Sequence, residues 1–129
     1  MQKKRVLIVE DEESLLKLET ILLTVKGYEV SGASTGKDAL EKLSGETFNL
    51  ILLDIMLPDI DGYEICRQIK DHPRHASTPV IILTARKSAE DLERGATCGA
   101  EAYLTKPFKS AMIIEVIERL LSDSSKVEK

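Results

Sequence analysis

Five side chains that could do chemistry each lie at or just beyond the end of a short apolar run in the 129-residue sequence: Glu10, Asp11, Asp54, Thr84 and Lys106. Carboxylates that lie a few ångströms apart repel one another, so a cluster of them favours a bound cation. Hard oxygen ligands with room for water suit Mg²⁺. A magnesium site with a free carboxylate, a lysine and a hydroxyl suggests phosphoryl chemistry, in which the acid is the nucleophile and forms an aspartyl phosphate. The metal and Lys106 would offset the charge on the phosphoryl oxygens, and Thr84 would donate a hydrogen bond to one of them.

The apolar runs predict the strands that would bring these side chains together. Residues 50–53 are continuously apolar before Asp54, which fits a strand buried on both faces, as in a parallel sheet. Further strands are predicted at 5–9, 28–32, 79–84 and 100–104. In open α/β sheets the ligand site lies at the carboxyl ends of the strands, which is where Asp54 would be.

The segments between these strands predict five helices, from apolar residues at helical spacing. Gly27 is expected to end the first helix, and Ser88–Asp91 matches a capping box that starts the fourth. The expected buried faces are Leu15, Leu18, Leu22 and Val25 in the first helix, Ala39, Leu40 and Leu43 in the second, Ile65, Cys66 and Ile69 in the third, Ala89, Leu92 and Ala96 in the fourth, and Ile113, Ile114, Ile117, Leu120 and Leu121 in the fifth.

The alternation of strands and helices predicts a single doubly wound α/β domain. Its parallel sheet of five strands is expected in the order 2-1-3-4-5, with five helices on the two faces. The domain is predicted to cover residues 1–121, and residues 122–129 to form a polar tail that frays.

Composition excludes several functions. The net charge of −4 argues against direct binding of nucleic acid, which usually needs a basic patch. No apolar run approaches the ~18 residues of a membrane span, and the N-terminus lacks the apolar stretch of a signal peptide. We therefore expect a cytoplasmic protein.

The cysteines and histidines are not expected to do chemistry. Cys66 and Cys98 are too few and too far apart in sequence for a disulfide framework or a zinc site, so reduced, partly buried thiols are predicted. His72 and His75 fall in a polar segment that Pro73 interrupts, and we assign them no role.

The motifs together resemble the receiver domain of two-component response regulators, over residues 4 to about 121. The matching segments are Val9-Glu10-Asp11, Asp54-Ile55-Met56-Leu57-Pro58, Asp61-Gly62, Leu83-Thr84-Ala85 and Tyr103-Leu104-Thr105-Lys106-Pro107-Phe108. Each is weak alone, whereas the full set in this order and spacing is specific. The fold expected from the resemblance is that of flavodoxin and the chemotaxis regulators.

The resemblance implies a role for each matching residue. Asp54 would accept a phosphoryl group from the phosphohistidine of a sensor histidine kinase or a histidine phosphotransfer protein. Mg²⁺ would be held by Asp11, Asp54 and the backbone carbonyl of Met56, with Glu10 acting through a metal-bound water. Lys106 would reach the phosphoryl group, and its peptide bond to Pro107 would be cis. Thr84 and Tyr103 would form a switch that changes the surface of the fourth helix, fifth strand and fifth helix.

The output of such a switch is left open. The chain resembles receivers attached to winged-helix DNA-binding domains, which pair through complementary charges. Ala102, Val116 and Glu118 depart from that charge pattern, so either a monomer or a phosphorylation-dependent dimer is expected. A stand-alone receiver and one excised from a longer regulator both fit.

Three other functions were weighed. A flavodoxin-like electron carrier would need a phosphate cradle where this chain has Glu10 to Glu13. An aspartate-based, Mg²⁺-dependent phosphohydrolase would need an acid two residues after Asp54, where Met56 stands. A receiver-like binding module that works without phosphorylation would not require the complete set of acids.

Overall fold

Five parallel strands form one sheet in the order β2-β1-β3-β4-β5, as predicted. The computed structural model describes residues 3–85, 88–107 and 109–127, so Phe108 of the sequence match and residues 128–129 of the predicted tail lie outside it. The strands are β1 (Arg5–Val9), β2 (Glu29–Ala33), β3 (Leu50–Asp54), β4 (Val80–Thr84) and β5 (Ala102–Thr105). The helices are α1 (Glu13–Val25), α2 (Gly36–Gly45), α3 (Gly62–Asp71), α4 (Ala89–Thr97) and α5 (Ser110–Val127).

The three central strands are continuously apolar because both of their faces are covered. Successive side chains of a strand point to opposite faces. Leu53 and Ile82 therefore join one core, with α2 and α3, whereas Leu52 and Leu83 join the other, with α1 and α5. Burying a side chain of this size stabilises the fold by roughly 1.5–3 kcal/mol. These two cores hold the sheet edge on which the candidate site lies.

Local side chains and one glycine determine where the helices begin and end. Thr35 accepts a hydrogen bond from Asp38 N at the start of α2, and Ser88 accepts one from Asp91 N at the start of α4. Gly27 has a φ of +98° just after α1, a conformation that glycine adopts without strain. The predicted start of α4 at Ser88 and the predicted end of α1 at Gly27 are thus confirmed.

The predicted buried face of α1 is only partly right: Leu15 and Leu22 are half-buried, and Leu22 packs against the core that α1 shares with α5. Leu18 and Val25 are 60% and 78% exposed, whereas Leu23 and Glu19 are buried and Leu16 is half-buried. The helix carries apolar residues on most of its circumference, so the sequence pattern was compatible with several rotations about the helix axis. Packing against the sheet selects the face that contains Glu19.

The predicted face of α4 is wrong. Ala89, Leu92 and Ala96 are all exposed. The buried residues are Gly95 and Cys98, the residue that directly follows the helix. The reason is the bulk of Tyr103, whose ring occupies the space where a side chain at position 95 would lie.

The inner face of α5 is confirmed, and the helix is longer than expected. Ile113, Ile117 and Leu121 are buried in the second core. Val116 is buried there too, so it does not belong to the exposed surface through which related receivers pair by complementary charges. The helix continues to Val127 through the first six residues of the predicted tail. The domain boundary at residue 121 stays a prediction.

Candidate functional site

The carboxyl ends of four strands bring the predicted chemical groups to one edge of the sheet. Asp54 and Thr84 are the last residues of β3 and β4, Glu10 follows β1, and Lys106 follows β5. Asp54 pairs in register with Leu83, which places Thr84 one residue further along the neighbouring strand. Glu10, Asp54 and Thr84 are buried, and Asp11 is exposed.

Three carboxylates at this edge could hold a metal ion. One carboxylate oxygen from each of Glu10, Asp11 and Asp54 lies within 4.8 Å of the other two. Oxygen-only ligands with an exposed member suit Mg²⁺, which binds through one or two carboxylates and keeps several waters. The donor set present therefore fits the metal that the sequence predicts.

Lys106 is the cation that joins two of these acids. Its Nζ donates to Asp54 Oδ2 over 3.0 Å and to Glu10 Oε1 over 3.1 Å. Its backbone N–H donates to Thr84 O over 2.8 Å, and the peptide bond to Pro107 is cis, as expected. Burial would lower the pKa of Lys106, but the bonds to Asp54 and then Glu10 hold that pKa above its ordinary value.

Glu10 shows that the cluster has an excess of negative charge. Burial, and then the charge of Asp54, raises the pKa of Glu10 to about 7, and the bond from Lys106 opposes this only in part. One lysine is insufficient to stabilise two buried carboxylates in their ionised forms. An added divalent cation would relieve this repulsion.

The loop after Asp54 keeps the second oxygen of that side chain occupied. Asp54 Oδ1 accepts a hydrogen bond from Met56 N over 2.9 Å. The loop then passes so close to α3 that a Cβ on Gly62 would lie 2.5 Å from Ile55 Cα. Only glycine fits there, which explains why Asp61-Gly62 accompanies the acid in the motif.

The predicted switch residues share one face of the sheet. Tyr103 pairs in register with Ile82, and Thr84 lies two residues further along β4. The Tyr103 hydroxyl lies 2.9 Å from the hydroxyl of Tyr63, which also donates to Asp91 O over 3.0 Å. Tyr103 therefore connects β5 to both α3 and α4.

Two residues near the site were missed by the sequence reasoning. Tyr63 was not singled out from the sequence, and nothing in its local pattern signals the long-range contact with Tyr103. Glu19 lies on the inner face of α1 and is 3% exposed, and neither of its carboxylate oxygens has a hydrogen-bond partner among the described residues. Burial, and then the charge of Glu10, raises the pKa of Glu19 to about 7. Its spacing from Leu16 and Leu23 was a signal that could have been used.

Both cysteines are free thiols, as predicted, but their contact with each other and the burial of one histidine were not predicted. Cys66 and Cys98 are both buried, but their side chains meet between α3 and the end of α4, although 32 residues separate them. His75 is buried rather than solvated, with Nε2 2.8 Å from Leu43 O. It ties the loop after α3 to the end of α2, which is a structural role.

No helix in the described part of the chain is long and apolar enough to cross a membrane.

The sequence matches a family model described as the response regulator receiver domain over residues 6–118. It is 41% identical over 117 residues to the response regulator ArlR of Staphylococcus saprophyticus, covering 91% of this chain and 52% of that protein. It is 39% identical over 125 residues to the transcriptional regulatory protein TrcR of Mycobacterium tuberculosis, covering 97% and 48%. The chain thus spans about half the length of these curated relatives.

Solved structures agree with the fold. A CheY-like receiver domain protein from Methanospirillum hungatei is 34% identical, with a TM-score of 0.92 and coverage of 97% of this chain and 98% of that one. The chemotaxis response regulator CheY4 of Vibrio cholerae is 29% identical, with a TM-score of 0.87 and coverage of 92% and 99%.

Proposed function

The chain belongs to the receiver domain family of the response regulators, signalling domains that accept a phosphoryl group, and we propose that Asp54 is its acceptor. The observation that carries this assignment is the pairing of a buried carboxylate with Lys106 beside two further acids. Asp54 is the one acid of the three that ends a strand and also contacts the lysine. A carboxylate oxygen of Asp54 would form the new bond to phosphorus as the bond from phosphorus to the donor nitrogen breaks.

We assign the magnesium site to Asp11, Asp54 and the carbonyl of Met56, with Glu10 acting through a water. The metal, when bound, would supply positive charge that offsets the charge on the transferring phosphoryl group. The Asp11 carboxylate is exposed, so it can give up its contacts with water to bind the metal. The Glu10 carboxylate is buried and accepts a hydrogen bond from Lys106. The exposure of Asp11 supports a direct role for its carboxylate.

Lys106 and Thr84 would bind the phosphoryl oxygens. Lys106 contacts Asp54 Oδ2 before phosphorylation, and it could transfer this bond to an oxygen of the attached group. Thr84 ends the neighbouring strand and would donate its hydroxyl hydrogen to another oxygen. Both groups are held by β4 and β5, so they could respond to the new charge with small movements.

We propose that this response passes through Tyr103 to α4, β5 and α5. Tyr103 lies on the same sheet face as Thr84, and its ring contacts the position of Gly95 in α4. A movement of Thr84 towards the phosphoryl group would change the space available to the ring. The contact with Gly95 would then alter the position of α4.

The signalling role is that of a switch rather than a turnover enzyme, and we propose slow self-catalysed hydrolysis of the aspartyl phosphate. Met56 stands two residues after Asp54, where a phosphohydrolase would need an acid. A thioether cannot transfer a proton to or from water. The phosphorylated state would therefore persist long enough for a partner to bind it.

A receiver domain implies a sensor kinase as donor and an output domain or partner. We propose that a histidine kinase or a histidine phosphotransfer protein is the donor, and that the exchange takes place in the cytoplasm. The negative net charge supports an output that does not rely on this domain to bind nucleic acid.

The decisive experiment is phosphorylation by acetyl phosphate in the presence and absence of Mg²⁺. We expect the intact mass to rise by one phosphoryl group only with the metal present. Asp54→Asn should abolish the increase, and Asp71→Asn, which changes an exposed acid at the far end of α3, should not. An unchanged mass of the natural sequence, or labelling that survives in Asp54→Asn, would refute the assignment.

A further inference from the structure

Two thiols meet where α3 approaches the end of α4. Cys66 lies on the buried face of α3, and Cys98 is the residue that caps α4. The Cys66 thiol donates to Cys98 O over 3.5 Å, and the Cys98 thiol donates to Gly95 O over 3.2 Å. Cys66 Sγ therefore lies directly against the residue that carries the second thiol, and the two side chains also interact with each other.

The two thiols are not equivalent. The hydrogen bond from Cys66, opposed by burial and aided by the backbone N–H of Ala100, lowers the pKa of Cys98 to about 7. The same hydrogen bond, together with burial, raises the pKa of Cys66. A thiolate is the reactive form of cysteine. Cys98 is thus suited to react first and Cys66 to react second.

A fixed positive charge supports the thiolate of Cys98. Lys70 donates to Thr78 O over 2.7 Å and to Glu101 Oε2 over 2.8 Å, and these bonds hold its amine in place. Its side chain passes beside Gly99, where an added Cβ would lie 3.1 Å from Lys70 Cγ. The charge of Lys70 contributes to the lowered pKa of Cys98.

A cleft gives small molecules access to the pair. It has a volume of about 170 Å³ and is lined by Cys98, Tyr63, Arg94 and neighbouring side chains of α3 and α4. Cys98 is 7% exposed, whereas Cys66 is fully buried. A cleft of this volume can admit a small reagent such as a hydroperoxide.

We propose that Cys98 and Cys66 form a redox-sensitive pair that a hydroperoxide converts to a disulfide. The Cys98 thiolate attacks the terminal peroxide oxygen, and the O–O bond breaks. A sulfenic acid forms and hydroxide leaves, or an alkoxide where the hydroperoxide is organic. The Cys66 sulfur then attacks the Cys98 sulfur, the S–O bond breaks, and the S–S bond forms with release of water. The two thiols lose two electrons in total, and the peroxide is reduced. A cellular thiol would restore the pair, as in other transient disulfides of reducing compartments.

The disulfide would fix the end of α4 against α3. Non-covalent contacts now join these helices: Tyr63 with Asp91, and Arg94 with Asp61 over 2.7 Å. The covalent link would lie one residue beyond the last turn of α4, three positions from Gly95, which contacts Tyr103. Oxidation would therefore restrain the helix whose movement the proposed function requires. This regulatory consequence rests on the proposed function, whereas the thiol chemistry does not.

The chemistry is tested on the whole chain, without a phosphodonor. The reduced protein is treated with hydrogen peroxide, the remaining thiols are alkylated, and peptides are identified by mass spectrometry. We expect loss of both alkylatable thiols, a cross-linked peptide that contains Cys66 and Cys98, and full recovery with a reductant. Retention of both thiols, or oxidation of Cys98 without the cross-link, would overturn the proposal.

Two substitutions at Cys66 separate its roles. Cys66→Ser keeps a donor to Cys98 but removes the second sulfur, so a trapped sulfenic acid should be detected at Cys98. Cys66→Ala also removes the donor, so the pKa of Cys98 should rise. Alkylation of Cys98 at pH 7 should then slow by about threefold, because the loss of thiolate is partly offset by the higher nucleophilicity of the thiolate that remains. Equal alkylation rates in the two variants would show that the hydrogen bond does not activate Cys98.

The effect on signalling needs a separate readout. Hydrogen exchange of α4 is measured before and after acetyl phosphate, in the reduced and oxidised protein. We expect both forms to be labelled at Asp54, and only the reduced form to change exchange in α4. An equal change in both forms would overturn the regulatory part. Absence of labelling in the reduced protein would instead refute the proposed function, and the peroxide experiment would still decide the thiol chemistry.

Discussion

The hydroxyl of Tyr63 lies 2.9 Å from the hydroxyl of Tyr103, which joins the first turn of α3 to β5. Tyr63 is buried, and burial together with the Tyr103 contact raises its pKa above the ordinary value for tyrosine. Tyr63 therefore stays neutral, and its hydroxyl donates to Asp91 O while it contacts the hydroxyl of Tyr103. This relationship links the predicted switch residue to α4 through a residue that the family motifs do not include.

We expect Tyr63→Phe to lower the free energy of unfolding by about 1 kcal/mol, since a buried hydrogen bond is lost and Tyr103 keeps its packing. Urea unfolding measures this change. Tyr28→Phe is the matched control, because the hydroxyl of the half-buried Tyr28 has no hydrogen bond among the described residues. The same loss in both variants would mean that the Tyr63 hydroxyl contributes no specific stability.

Gly95→Ala should destabilise the protein by roughly 1–3 kcal/mol, the usual effect of overpacking, although alanine favours helix. The added Cβ would lie 2.4 Å from Tyr103 Cδ2, so the ring must move. Gly45→Ala, at a helix position with no atom within 4 Å of the added Cβ, is the control and should be neutral or stabilising. In a Tyr103→Ala background the effect of Gly95→Ala should change sign. A penalty that persists there would place the clash elsewhere.

Lys106→Ala should leave Mg²⁺ affinity nearly unchanged, because the three carboxylates that form the candidate metal site remain. It should also uncouple phosphorylation of Asp54 from the change in α4, since the contact over 3.0 Å between Lys106 Nζ and Asp54 Oδ2 is lost. Calorimetric titration with Mg²⁺ and hydrogen exchange with acetyl phosphate measure the two effects. Lys109→Ala, at an exposed position nearby, is the control. A normal change in α4 without Lys106 would contradict the role assigned to this lysine.

Glu19→Leu should raise stability, and more at pH 8 than at pH 5. The folded protein holds a proton on Glu19 up to a pKa of about 7, whereas the unfolded chain releases it near the ordinary value of 4.5. Between these two pH values the unfolded chain binds fewer protons at this side chain than the folded protein does. The contribution of Glu19 to the free energy of unfolding is therefore most favourable below pH 4.5 and is lost as the pH rises to about 7. The difference is on the order of 2–3 kcal/mol. Urea unfolding at the two pH values measures it, with the exposed acid Glu13→Leu as control. Equal gains at both pH values would show that Glu19 is not protonated.

The strands and the site could be predicted because continuous apolar runs identify strands that are buried on both faces. Once β1, β3, β4 and β5 are parallel, their ends must converge, and Asp54 must meet Lys106. The rotation of α1 could not be predicted, because its apolar residues surround most of the helix. The contacts of Tyr63 with Tyr103 and of Cys66 with Cys98 depend on how α3 packs against β5 and α4, and no local spacing encodes that packing.

The side chain of Asp59 accepts hydrogen bonds from the backbone N–H groups of Gly36 and Lys37, over 2.8 and 2.9 Å. The loop that leaves Asp54 is thereby attached to the first turn of α2, and these two bonds lower the pKa of Asp59 so that they persist in mild acid. On the other side of Asp54, α4 presents Leu92 and Ala96 to solvent and turns Gly95 and Cys98 inwards. The loop beside Asp54 is therefore anchored on its α2 side by two hydrogen bonds. We expect the rearrangement caused by added charge at Asp54 to fall mainly on the α4 side.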